Sequence, residues 1–241
     1  MRPFLLLRAR PAGPIAADEF AAIHRYGRLG AGELVDRDLA EPGADDVDLD
    51  EYAGVIITGS PYSLLAAKEA KTADQIRVET HVMALAERIL EQDKPTLGIC
   101  FGLQVLAVAC GATLTRDLWE RISAPDITLT AEGRADPLLG TLPARFKNYV
   151  GHSDAIDRQP EQMTVLGYSD LVPVQLARFT PNVYGTQYHP EIGHVGIAMR
   201  IANYDGVYFQ ADERDAVLRE CLAAYTEHRI VSAFTAAHRE S

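Results

Sequence analysis

Residues 98–102 read Gly-Ile-Cys-Phe-Gly, placing Cys100 between two glycines where a short apolar run gives way to a helical pattern. A cysteine at such a place can be a packing residue, a metal ligand or a nucleophile. Gly98 and Gly102 remove the side chains that would obstruct a sharp strand-to-helix turn, the arrangement by which a nucleophile projects from the backbone. At the start of a helix its thiolate is favoured by the exposed backbone amides. The N–H of Phe101 is then placed to stabilise an oxyanion formed by attack on a carbonyl. On local pattern alone, a buried cysteine and a nucleophile fit Cys100 equally. Cys110 and Cys221 lie on helical patterns among apolar neighbours and read as packing.

A nucleophilic cysteine needs a base, and the base needs an orienting group. Seven histidines are available. His24, His81, His228 and His238 fall on helical patterns or in the C-terminal tail, which leaves His152, His189 and His194. His189 ends an apolar β-run, the end at which parallel sheets present ligand-facing groups. Pro190 fixes the turn that follows, and Glu191 is placed to accept a hydrogen bond from the imidazole. Cys100, His189 and Glu191 thus make a candidate Cys–His–carboxylate set that only geometry can decide. Three cysteines with no close CxxC pair point to neither a disulfide framework nor a metal site, and fit a reducing cytoplasm.

The elements that must position these groups alternate between short β-rich runs and helical stretches. Strands are expected at Phe4–Leu7, Glu33–Asp36, Val55–Thr58 and Thr96–Ile99, and helices at Ala16–Arg28, Thr72–Glu91 and Leu103–Cys110. The run Val-Ile-Ile-Thr is continuously apolar, as in a strand buried on both faces. Gly111 suits a helix C-terminus. From Ala112 the pattern changes to six shorter β-runs: ATLTR, DITLT, ARFKNYVGH, TVLGY, PVQLARF and NVYGTQYH. Helices at Val195–Asn203 and Asp212–Arg229 follow. The expected fold is α/β, with a mostly parallel central sheet covered by helices and a small antiparallel extension. The economical division is one domain over 1–241, with a core of about 4–204 and a helical tail of about 205–241.

The 241 residues carry a formal charge of −11, with acidic groups spread along the chain. That distribution disfavours nucleic acid and anionic membranes as partners, since both select basic surface. The apolar run Phe4–Leu7 is shorter than the roughly 7–15 residues of a secretory signal core, and no stretch approaches the roughly 18 needed to span a bilayer.

Taken together, GICFGLQ and the YHPE at residues 188–191 resemble the class I (triad) glutamine amidotransferases, most of all the amidotransferase domain of GMP synthase and its stand-alone relatives. The resemblance implies a flavodoxin-like fold and hydrolysis of glutamine to glutamate and ammonia, without cofactor or metal. It implies that Cys100 forms a γ-glutamyl thioester, that His189 is general base and then acid, and that Glu191 orients it. Gln104 falls where the family holds the amino-acid part of glutamine. ITGSPYS, residues 57–63, corresponds to the family's GGPxS loop, so that Gly59 and Ser60 would complete the oxyanion hole opposite Phe101. Ser60 replaces the usual second glycine, and an ordinary strand-to-loop turn also suits Gly-Ser-Pro. NYVGHSDAI resembles the family's SHGD-type stretch, which makes Gly151, His152, Ser153 and Asp154 candidates to line the substrate site; a packed structural pair of His152 and Asp154 is the alternative.

The chain lacks an SGGxDS pyrophosphate loop and a Walker A motif. An amidotransferase of this kind would feed ammonia to an acceptor on a separate enzyme, a synthetase subunit. The alternative is a stand-alone γ-glutamyl hydrolase or peptidase using the same three residues. The segment at residues 193–209 reads as a helix completing the core, or else as a partner surface.

Overall fold

The structure is a computed structural model that describes residues 2–204 and 208–240. Its strands and helices run in the order β1 (Phe4–Arg8), α1 (Pro14–Tyr26), β2 (Leu34–Asp38), β3 (Gly54–Ile57), α2 (Ala73–Glu91), β4 (Thr96–Ile99), α3 (Phe101–Ala109), β5 (Thr113–Thr115), β6 (Glu120–Ser123) and β7 (Asp126–Leu129). There follow α4 (Ala131–Ala135), β8 (Arg145–Lys147), β9 (Val150–His152), β10 (Ala155–Arg158), β11 (Thr164–Tyr168), β12 (Leu176–Thr180), β13 (Val183–Thr186), α5 (His194–Asn203), α6 (Arg214–Leu222) and α7 (Arg229–His238).

Nine strands form one sheet in the order β2-β1-β3-β4-β13-β12-β11-β7-β8. The pairings from β2 to β13 are parallel, and those from β13 to β8 are antiparallel. This is the expected α/β sheet, with a four-strand antiparallel extension. Two small antiparallel pairs, β5–β10 and β6–β9, stand apart from it.

The continuously apolar strands are explained by burial on both faces. Leu5, Leu7, Val55 and Ile57 join the core shared with Val78 and Val82 of α2 and Leu103 and Leu106 of α3. Their neighbours Phe4, Leu6 and Ile56 point the other way, into a core shared with Ile23 of α1 and with Ile230, Val231 and Phe234 of α7. The period of two along each strand thus sends successive side chains into two different cores. The C-terminal helix belongs to the second of them, and Phe234 meets Phe4 with ring centroids 6.0 Å apart.

One expected element is divided, and another ends early. Residues 144–152 form β8 in the main sheet and β9 in a separate pair, rather than one strand. Buried Asn148 makes the break: its amide donates to the Glu227 carbonyl at 2.5 Å, and its oxygen accepts from the Tyr149 N–H at 2.8 Å. The helix expected over Asp212–Arg229 ends at Leu222, and α7 begins at Arg229. Between them the Glu227 N–H bonds the Lys147 carbonyl at 3.0 Å, an edge contact that a continuous helix would forbid. The sequence pattern also missed β6, β10 and the short α4, each of five residues or fewer, and did not set α7 apart within the helical tail. Of the segment at residues 193–209, α5 is a helix with buried Ile197 and Ile201, while 205–207 lie outside the described residues. Among the described residues no helix is long and apolar enough to cross a membrane.

Candidate active site

The strand order reverses beside β1, since β2 lies on one side of it and β3 on the other. In open α/β sheets ligands bind beyond the carboxyl ends of strands at such a switch point. Arg10, the Gly59–Ser60 loop and Cys100 follow the ends of β1, β3 and β4 there, and His189 lies just past β13.

Cys100 occupies the turn between β4 and α3 with φ 51° and ψ −96°. That conformation is unusual for an L-residue and costs on the order of 1–3 kcal/mol. Its N–H bonds the Thr186 carbonyl at 2.6 Å and its own carbonyl accepts from the Gln104 N–H at 3.1 Å, which holds the turn from both sides. The flanking glycines are required by contact. A Cβ on Gly98 would lie 2.6 Å from the Gly102 carbonyl carbon, and one on Gly102 would lie 2.6 Å from the Ile57 carbonyl oxygen. Phe101 opens α3, so its N–H is among the first-turn amides that have no acceptor within the helix.

His189 Nδ1 stands 2.7 Å from Glu191 Oε1, and both side chains are buried. Burial alone would depress the imidazole. The adjacent Glu191 carboxylate and the hydrogen-bonded Cys100 side chain overcome it and push His189 up to about 10. Glu191 shifts the opposite way: burial opposes ionisation, but the neighbouring imidazolium holds its carboxyl below the usual range. The three expected residues are therefore brought together, with Glu191 on the far nitrogen of the ring and Cys100 within its hydrogen-bonding reach. His194 is not among them. Its Nε2 faces the Ala224 carbonyl at 3.1 Å, at the surface. Burial pushes the thiol of Cys110 up and that of Cys221 up to about 12, as for packed cysteines.

Two cavities meet at Cys100. One is lined by Tyr62, Phe101 and the five residues expected for substrate: Gln104, Gly151, His152, Ser153 and Asp154. Their side chains are cross-braced. Gln104 Nε2 donates to the Asp154 carbonyl at 2.6 Å, and the same carbonyl lies 3.0 Å from His152 Nδ1. A carbonyl only accepts, so Nδ1 carries a hydrogen, and His152 Nε2 lies 2.8 Å from Glu120 Oε2. Both ring nitrogens of His152 are thus engaged by the protein. The Asp154 carboxylate accepts from Ser63 Oγ at 2.6 Å, while its Oδ1 is buried with no hydrogen-bond partner among the described residues. Ser60 Oγ donates to the Ala9 carbonyl at 2.5 Å and accepts from the Tyr62 N–H at 3.1 Å, tying the loop that replaces a glycine with serine.

Sequence reasoning passed over several residues at this centre. Gln187 Nε2 donates to Cys100 Sγ at 3.5 Å from the segment just past β13, two residues before His189. Glu120 carried no signal, since its strand escaped notice. The other cavity is lined by Arg10, His189, Arg200, Tyr204 and Tyr208 with apolar Ile192 and Ile197. Arg10 Nε donates to Glu19 Oε2 at 3.2 Å, and Arg200 Nη2 lies 3.7 Å from Glu19 Oε1, all three side chains being buried.

The family described as glutamine amidotransferase class-I matches residues 23–201 of the chain. A curated relative, a glutamine-hydrolysing GMP synthase from Aeropyrum pernix, is 31% identical over 146 residues, which is 61% of this chain and 25% of that protein. Another, from Leifsonia xyli subsp. xyli, is 30% identical over 154 residues, 63% of this chain and 28% of that one. The chain thus matches about a quarter of the length of these relatives. A solved glutamine amidotransferase from Thermotoga maritima superposes with a TM-score of 0.73 at 20% identity, over 100% of both chains. At that identity the likeness is one of fold.

Proposed function

The chain belongs to the class-I glutamine amidotransferases, and we propose that it hydrolyses the side-chain amide of glutamine through a thioester on Cys100. The observation that carries this reading is the grouping of a strained Cys100 with a buried His189 whose other nitrogen is held 2.7 Å from Glu191. Glutamine enters the cavity lined by Gln104 and Asp154 and presents its amide carbon to Cys100 Sγ. His189 is held protonated, in keeping with its raised basicity. Attack places negative charge on the amide oxygen, which the amides of Phe101 and the Gly59–Ser60 loop stabilise by roughly 3–4 kcal/mol per donor. His189 returns its proton to the leaving nitrogen, ammonia departs, and water activated by the same imidazole releases glutamate.

The ammonia is destined for an acceptor on a separate synthetase domain or subunit. Support for this comes from the relatives named as GMP synthases, of which the chain matches about a quarter. The second reading, hydrolysis of larger γ-glutamyl amides, is favoured by one observation: the cavity on the His189 side of Cys100 is lined by two buried arginines.

Release of ammonia and glutamate from glutamine tests the first reading, with Cys100→Ala as control. Glutaminase activity that survives this substitution sinks the mechanism. Stimulation by a co-purifying synthetase supports the ammonia-donor role, and negligible glutaminase beside strong γ-glutamyl peptide cleavage supports the hydrolase.

A further inference from the structure

The two cavities that meet at Cys100 differ in chemistry. Ser60, Cys100, Gly151 and Tyr208 line both. Gln104, His152 and Asp154 line only the first, whereas His189, Arg10 and Arg200 line only the second. A group that protonates a leaving nitrogen must stand on the leaving-group side of the scissile bond. His189 therefore marks the second cavity as the place where the amine portion of a substrate lies.

That cavity joins apolar and charged groups. Its apolar wall of Ile192 and Ile197 surrounds two guanidinium groups, with Arg10 6% exposed and Arg200 4% exposed. Arg10 spends Nε on Glu19 and Nη1 on the Tyr204 hydroxyl at 3.2 Å. Its Nη2 lies 3.4 Å from where a Cβ on Gly59 would stand, on the same side as the His189 ring. Arg200 spends Nη1 on Asp18 Oδ2 at 3.3 Å and on the Gly196 carbonyl at 3.2 Å. Its buried Nη2 has no hydrogen-bond partner among the described residues, and Glu19 Oε1, at 3.7 Å, is too distant to serve as one. Buried donors of a planar, permanently charged group are costly to leave unpaired, and their matched acceptor is a carboxylate.

We propose that this second cavity binds a carboxylate carried on the amine portion of a γ-glutamyl amide, so that the enzyme accepts γ-glutamyl derivatives of small amino acids as well as glutamine. The inference deepens the reading of Cys100 as nucleophile and rests on it for turnover. The chemistry is unchanged: Sγ bonds the γ-carbon, the C–N bond breaks, and the nitrogen leaves with the His189 proton as a free amino acid. Water then attacks the thioester, giving glutamate and restoring the thiol.

The test uses binding to the Cys100→Ala protein, where no turnover occurs, measured by calorimetry with matched ligand pairs. γ-Glutamylglycine is compared with γ-glutamylglycinamide, and γ-glutamyl-β-alanine with its amide, so that only the carboxylate differs within a pair. At least one free acid is expected to bind about tenfold more tightly than its amide. Adding Arg200→Met is expected to reduce that ratio to near one. The readout is a ratio within each protein, so general weakening cancels. Should Arg200→Met fail to fold, Arg200→Lys replaces it, with the ratio expected to fall by a smaller factor. Equal affinity within both pairs overturns the proposal, as does a preference undiminished by substitution of Arg200. Glutamine turnover by the unsubstituted enzyme separates the two readings: its presence with no carboxylate preference rejects the cavity assignment alone, and its absence with a carboxylate preference rejects the glutaminase reading alone.

Discussion

A Cβ placed on Gly59 would stand 2.8 Å from Cε1 of His189. The loop after β3 and the imidazole past β13 are thus in direct van der Waals contact, across a sheet in which β4 separates their strands. Gly59→Ala must displace one of them. If the ring moves, its proton is misaligned with the leaving nitrogen, and kcat is expected to fall by about tenfold or more, with KM changed less. Steady-state kinetics on glutamine read the split; an unchanged kcat would show that the ring is free to shift.

The second prediction concerns stored strain. Cys100 holds φ 51° and ψ −96°, a conformation that alanine would also resist and glycine accepts readily. Cys100→Gly is therefore expected to be more stable than Cys100→Ala by roughly 1 kcal/mol, with both lacking glutaminase activity. Denaturant midpoints of the two variants measure the difference, and an alanine variant of equal or greater stability contradicts it.

The third follows from basicity. Burial tends to lower His189, but Glu191 and Cys100 raise it from 6.5 to about 10. A group raised on folding stabilises the protein fully below its unfolded pKa, and that contribution is lost as pH rises through the folded value. Stability contributed by the pair should thus decline between about 6.5 and about 10. Activity should persist through neutral pH and fall on the alkaline side as His189 loses its proton. Glu191→Gln removes the principal raising charge and should move that alkaline limb to lower pH. A limb that does not move in a pH profile of kcat/KM argues against the pairing.

Glu120 supplies the fourth. Its carboxylate takes Gln175 Nε2 at 2.7 Å and faces His152 Nε2 at 2.8 Å, entirely within the interior. Glu120→Ala leaves His152 Nε2 buried and unpaired and Gln175 Nε2 with Ser169 Oγ alone, at a cost of about 3 kcal/mol. Because His152 braces the Asp154 carbonyl on which Gln104 also rests, KM for glutamine should rise as stability falls. Glu120→Gln keeps a hydrogen-bonding group there and should be milder in both measurements.

What the sequence by itself determined was the part written in short-range pattern. Strand Thr96–Ile99 was legible to the residue because a run buried on both faces is bounded by Pro95 and by the Gly-Ile-Cys-Phe-Gly turn. Cys100, His189 and Glu191 were legible as candidates because a nucleophile at a strand-to-helix turn, and a histidine two residues before a carboxylate, each leave a local signature. The break between α6 and α7 was not legible, since it depends on edge contacts of Glu227 with Lys147 and Asn148 far away in the chain. The tertiary structure alone decided which face of Cys100 each residue serves. Arg10, Glu19 and Arg200 lie on β1's exit, α1 and α5, and no spacing links them. They meet because the parallel strands end together at the switch point, and a buried guanidinium must find its partners wherever the fold brings them.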